Sequence, residues 1–92
     1  MILKRIHIFV TGRVQGVFFR QSTRVMAIKN DVGGWVRNLD DGRVEIVAEG
    51  EESNISALAD WCKTGSANSR VDEFELSEEN HTGEFEKFEV RY

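Results

Sequence analysis

The chain has no proline and one cysteine, Cys62, in 92 residues. A lone thiol cannot close an internal disulfide, which fits a reducing compartment and removes the disulfide-scaffold class of small secreted domains. Its longest uncharged apolar run is far short of a membrane span. Lys4 and Arg5 precede only a short apolar run with no small-residue cleavage site, so a cytoplasmic protein is expected. The two histidines, His7 and His81, lie far apart and share no ligand spacing, so no metal site is expected. There is no internal repeat, no low-complexity segment and no sign of a Ser-His-Asp arrangement beyond the residue types. With this length the expectation is one domain, residues 1–92, holding a single modest two-layer core.

Charge is scarce in one sign at a time. The net charge is −4, yet residues 1–38 carry seven basic residues against Asp31 alone, and the remainder carries five basic and fifteen acidic residues. An acidic chain is a poor general binder of nucleic acid, because that affinity comes mainly from neutralising phosphates. A local cationic site in the first 38 residues stays open.

Within that basic segment lies Gly12-Arg13-Val14-Gln15-Gly16-Val17-Phe18-Phe19-Arg20, a glycine-punctuated turn between an apolar strand and a helix. Glycines at 12 and 16 would let backbone approach a ligand with no Cβ in the way, so that successive N–H groups share one concavity. Such a concavity suits an anion. The N–H groups of Gln15, Gly16, Val17, Phe18 and Phe19, the helix N-terminus and the forked guanidinium of Arg20 together read as a phosphate site. It is not the common nucleotide loop, which needs a Lys-Ser or Lys-Thr pair after its last glycine, whereas Val17 follows Gly16.

Downstream stand Gly34-Trp35-Val36-Arg37-Asn38 and Asp41-Gly42-Arg43-Val44-Glu45. With the loop they closely resemble the acylphosphatase signatures G-x-V-Q-G-V-x-F-R and G-W-V-x-N-x-x-D-G-x-V-E, in the right order and over nearly the whole chain. The resemblance implies a ferredoxin-like architecture, hydrolysis of acyl phosphates, and a matching of Arg20 and Asn38 to the family's phosphate-binding arginine and water-positioning asparagine. The chain departs from the family pattern at Asn30-Asp31, where leucine and glycine are commoner, and at the linker Ser66–Arg70, where a Gly-Pro pair is frequent.

The hydrophobic periodicity is consistent with that fold. Ile2 to Val10 alternates as a half-buried strand, with Ile2, Ile6, Ile8 and Val10 facing one way. Phe19, Thr23, Met26 and Ala27 predict a helix over about 19–29, ended by Asn30-Asp31. Val32–Asn38 and Arg43–Glu49 read as strands joined by a Leu39-Asp40-Asp41-Gly42 turn. Ser53 or Asn54 is expected to cap a second helix whose stripe is Ile55, Leu58, Ala59 and Cys62 and whose stop is Gly65. Val71–Leu76 and Phe85–Tyr92 complete a β-α-β-β-α-β order plus a terminal strand. This is an α+β, split βαβ sandwich, an antiparallel sheet with two helices on one face. Cys62 is expected to be packed and inert, and Trp35 and Trp61 to be packing groups.

An acyl phosphate is a mixed anhydride with a carboxylate leaving group, so its cleavage needs little proton assistance. It needs neutralised charge and a placed water. The carboxamide of Asn38 is no base at neutral pH and would act by geometry. No metal and no cofactor are called for, the partners are a small acyl phosphate and inorganic phosphate, and a monomer is the simplest expectation. The competing class is a non-catalytic ferredoxin-like binding or regulatory module for RNA or a phosphate ligand. Phe9 and Phe88 lie on strands as such binders require, but the RNA-binding octapeptide is absent.

Overall fold

The computed structural model describes residues 1–92. Its first strand, β1, spans Leu3–Arg13 and turns Ile6, Ile8 and Val10 into the core. It outruns the expected Val10 because it continues through a bulge between Thr11 and Gly12, where it pairs with the fourth strand. Gly12 has φ 139°, and a Cβ there would lie 2.1 Å from the Arg70 carbonyl oxygen. This glycine therefore serves the close approach of two strands, not of a ligand. Ile2, expected to face inward, precedes the strand and is exposed.

Helix α1 spans Phe19–Lys29 and buries Phe19, Thr23 and Ala27, as its periodicity predicts. The buried Thr23 hydroxyl donates to the Phe19 carbonyl at 2.8 Å, which satisfies it inside the helix. At the exit the Asn30 amide donates to the Met26 carbonyl, and Asp31 takes the left-handed turn at φ 55°. The strands β2 (Gly33–Asn38) and β3 (Val44–Glu51) follow, joined by the expected turn, where the Leu39 N–H donates to the Arg43 carbonyl at 2.8 Å.

Helix α2 spans Glu52–Thr64 and ends at Gly65. Neither Ser53 nor Asn54 caps it. β3 runs directly into the helix, and the Glu52 N–H donates to the Ile2 carbonyl at 2.8 Å. The last strands are β4 (Arg70–Glu79) and β5 (Phe88–Arg91).

The sheet order is β4-β1-β3-β2-β5, the ferredoxin-like arrangement expected. Three strand pairs are antiparallel, and β5 alone joins in parallel, against β2. The reason is the route of the chain. β4 and β5 occupy opposite edges, so residues 80–87 must cross the whole width of the sheet, which also shortens the last strand to start at Phe88. The crossing is pinned at Glu49, whose carboxylate accepts from the Thr82 and Gly83 N–H groups at 2.8 and 3.0 Å.

One face of the sheet packs against both helices around Phe19, Ile8, Ile46 and Leu58. The other carries a lattice of charge. Arg5 bridges Glu49, Glu79 and Glu84, His7 lies between Glu45 and Glu79, and Arg37 reaches Glu45. No helix is long and apolar enough to cross a membrane.

Candidate functional site

β1, β2 and β5 all run toward the same end of the sheet, where β3 and β4 begin. That end collects the segment after β1, Asn38 closing β2, Arg91 closing β5, and the linker that leads into β4. Val44 of β3 pairs with Val10 on one side and Asn38 on the other, so Val10, three residues before the end of β1, and Asn38 are two strand spacings apart, about 10 Å.

The turn between β1 and α1 is anchored by apolar side chains. Val14, Val17 and Phe19 are buried, while Gly16 and Phe18 face solvent. Gly16 has φ 72° and Phe18 φ 60°, with negative φ at Gln15 and Val17 between and before them. Such alternation of hand turns successive N–H groups into one concavity, the geometry of an anion nest. A Cβ at Gly16 would meet nothing within 4 Å, so this glycine is there for its conformation and its open face.

The donors of this turn are uncommitted. From residue 14 to residue 21 no backbone N–H donates within the protein, and the first to do so is Ser22, to the Phe18 carbonyl at 3.0 Å. Part of this run is the ordinary orphan set of a helix N-terminus, but it extends a full turn further back into the loop.

Two side chains hold the turn in place, and neither role was foreseen. The Gln15 amide donates to the Leu39 and Arg43 carbonyls at 2.8 and 3.0 Å, tying the loop to the β2–β3 turn beside Asn38. The Ser66 hydroxyl donates to the Val17 carbonyl at 3.1 Å. In a planar trans peptide that carbonyl and the Phe18 N–H point oppositely, so Ser66 aims a donor of the nest. Gly65 supports the same corner, since a Cβ there would lie 2.6 Å from the Phe19 ring. The proline-free linker is thus held by hydrogen bonds. Gln15 offered a sequence signal in its long amide beside a glycine, whereas nothing periodic marked Ser66.

Arg20, in the first turn of α1, is half-buried. One guanidinium nitrogen donates to the Arg91 carbonyl at 3.3 Å, and the group stacks over the Tyr92 ring, 4.7 Å from its centroid. Arg91 pairs with Arg37, the neighbour of Asn38, so β5 carries the guanidinium toward the end of β2. Arg37, Arg43 and Arg70 are bound to carboxylates at 2.6, 2.8 and 2.9 Å, while Arg20 has no carboxylate partner and keeps most of its donors. Tyr92, the stacking partner, was not singled out from the sequence.

Asn38 is half-buried and its Oδ1 is fully buried with no hydrogen-bond partner in the protein. A buried carbonyl oxygen left alone is costly, so this atom calls for a donor. The neighbouring acid, Glu45, is held below the usual carboxylate range: burial raises it, but bonds from His7 and Arg37 outweigh that. Glu45 and Arg37 thus satisfy each other on the far face. Cys62 is buried on α2, where desolvation pushes its thiol up to about 12. Phe88 is buried in the core, and the half-buried Phe9 lies between His7 and the Arg43 guanidinium, so neither is an open stacking platform.

The site is shallow. The largest cleft, about 430 Å³, lies at the opposite end of β2, bordered by Arg24, Gly33, His81 and Lys87. An oxyanion site made of backbone donors needs a concavity a few ångströms across, which explains the difference.

Comparisons with known proteins converge. A sequence model described as acylphosphatase matches residues 6–90. The chain is 48% identical over 91 residues to an acylphosphatase of Syntrophus aciditrophicus, covering 99% of this chain and 95% of that one. It is 52% identical over 88 residues to an acylphosphatase of Rubrobacter xylanophilus, covering 96% and 80%. A solved acylphosphatase structure from Bacillus subtilis superposes with a TM-score of 0.93 at 40% identity, covering 99% of this chain and 100% of that one.

Proposed function

The chain belongs to the acylphosphatase family, and on that premise we propose how its residues hydrolyse an acyl phosphate to a carboxylate and inorganic phosphate. The N–H groups of Gln15, Gly16, Val17, Phe18 and Phe19 and the Arg20 guanidinium hold the phosphoryl oxygens. The observation that carries this reading is the unbroken run of uncommitted N–H groups over residues 14–21, with Arg20 inside it. Phosphoryl transfer asks the protein mainly for positioning and for charge stabilisation on the equatorial oxygens, and preorganised amides and a guanidinium supply both.

Asn38 positions the nucleophile. The Asn38 Oδ1 has no exposed surface, so a water meets the carboxamide at the NH₂ side. An N–H donating to one lone pair of that water leaves the other for in-line attack, which forms a new P–O bond as the bond from phosphorus to the acyl oxygen breaks. The carboxylate leaves with that electron pair, and the proton of the water passes to a phosphate oxygen or to solvent. No acid of the protein is required, because the leaving carboxylate is already a weak base. Nor does any step call for a metal. We place this activity in a single domain, residues 1–92, acting as a cytoplasmic monomer without nucleic acid. The charge count and the buried Phe88 support this against an RNA-binding module.

The test is release of phosphate from benzoyl phosphate with a chelator present. Asn38→Ala should lower kcat by about 10²–10³, the loss usual for one preorganised polar contact, with inhibition by inorganic phosphate nearly intact. Full turnover in that variant would end the assignment.

A further inference from the structure

Only two residues other than glycine have positive φ, Phe18 and Asp31. Asp31 is of a type that tolerates the left-handed region, and Phe18 is not. Phe18 also stands at the N-cap of α1, where Ser, Thr, Asp or Asn would accept a bond from the first turn, and it makes no such bond. The residue is 78% exposed. The position therefore carries a left-handed strain and a missing cap, and the ring gives the core nothing in return. Strain of this kind persists at ligand clamps, where the side chain has work outside the fold.

We infer that the Phe18 ring is the acyl-recognition surface of this site, taking the apolar part of aromatic acyl phosphates. The inference rests on the phosphate-binding role proposed for the loop. The Phe18 N–H belongs to the uncommitted run, so a phosphoryl group held there lies against the residue that bears the ring. The acyl group begins one bridging oxygen away from phosphorus and must point out of the nest, toward solvent, to leave. An exposed aromatic ring at the rim meets a flat apolar acyl group there. A methyl group offers it little area.

The experiment compares kcat/KM for benzoyl phosphate and acetyl phosphate in the wild type and in Phe18→Gly and Phe18→Ala. The ratio of the two substrates should shift roughly fivefold to tenfold against benzoyl phosphate, the worth of one ring face withdrawn from water. A loop merely disturbed by the substitution lowers both substrates together and leaves the ratio unmoved, which overturns the inference. Phe18→Gly suits the positive φ, its urea midpoint checks that the fold is kept, and competition by phenylphosphonate against methylphosphonate reads the same ratio from binding alone. If the wild type hydrolyses neither substrate, the proposed activity is what fails. If it hydrolyses both and the variant ratio is unchanged, only the role of Phe18 fails.

Discussion

Replacing Glu49 by Gln tests the charged face of the sheet and the crossing segment that it pins. The Glu49 side chain is 4% exposed and accepts from the Thr82 N–H at 2.8 Å, the Thr82 hydroxyl at 2.9 Å, the Gly83 N–H at 3.0 Å and Arg5 at 3.1 Å. Burial raises its pKa, but those donors more than reverse the effect and bring it from 4.5 down to about 2. At 1.36 kcal/mol for each pH unit, the ionised carboxylate contributes about 3 kcal/mol to folding. Because the folded pKa is the depressed one, that contribution is complete above pH 4.5 and is lost as the pH falls toward 2.

Glutamine mimics the protonated acid in shape, and its NH₂ group must face donors where an oxygen had accepted. Glu49→Gln should therefore lower stability at pH 7 by about 3 kcal/mol, a shift of roughly 2–3 M in the urea midpoint for a domain of this size. The pH series discriminates further. Both proteins lose stability in acid as Glu45, Glu79 and Asp41 are protonated, all of which have depressed pKa values. The gap between wild type and variant should nevertheless close between pH 5 and pH 2. Unfolding followed by tryptophan fluorescence at pH 7, 5, 3 and 2 measures it. Two stability curves that stay parallel to pH 2, or a variant as stable as wild type at pH 7, would refute the reasoning.

Three further outcomes follow from the other end of the sheet and from the core. Arg20→Gln should raise the inhibition constant of inorganic phosphate about tenfold or more, the scale of a lost charge-assisted hydrogen bond, as read by competition against benzoyl phosphate hydrolysis. Ser66→Ala frees the Val17–Phe18 peptide to reorient. It should weaken inorganic phosphate binding severalfold while costing only about 1 kcal/mol in urea denaturation, the worth of one neutral hydrogen bond. The Cys62 thiol, buried and pushed up to about 12, should resist iodoacetamide at pH 8 in the native protein and react at once in denaturant, as mass spectrometry would show.

What was legible in the sequence is what local rules dictate. The stripe Phe19, Thr23, Ala27 marked α1, because burial on a helix repeats with the helical period and nothing in the segment competes. The alternation at Ile6, Ile8 and Val10 marked β1 for the same reason. Where a distant partner decides, local rules fail. Ser53 and Asn54 are good caps, yet the carbonyl of Ile2 takes the Glu52 N–H, and that contact arises from the pairing of β1 with β3. Gly12 looked like part of the anion loop from spacing alone, but its absent Cβ answers to Arg70, far along the chain. The site divides along the same line. The run of backbone donors is a property of one turn and could be read from Gln15-Gly16-Val17-Phe18 directly. Its fastening by Ser66 and the approach of Arg20 to β5 required the topology, in which β5 returns across the sheet to lie beside β2. That return also separates two demands on the chain. Glu49 fixes the crossing at the end of the sheet remote from Asn38, so strong ionic contacts stabilise the domain there. At the other end the donors of residues 14–21 stay free of internal partners. A chain that met its stability requirement with those same donors would have no nest left to offer.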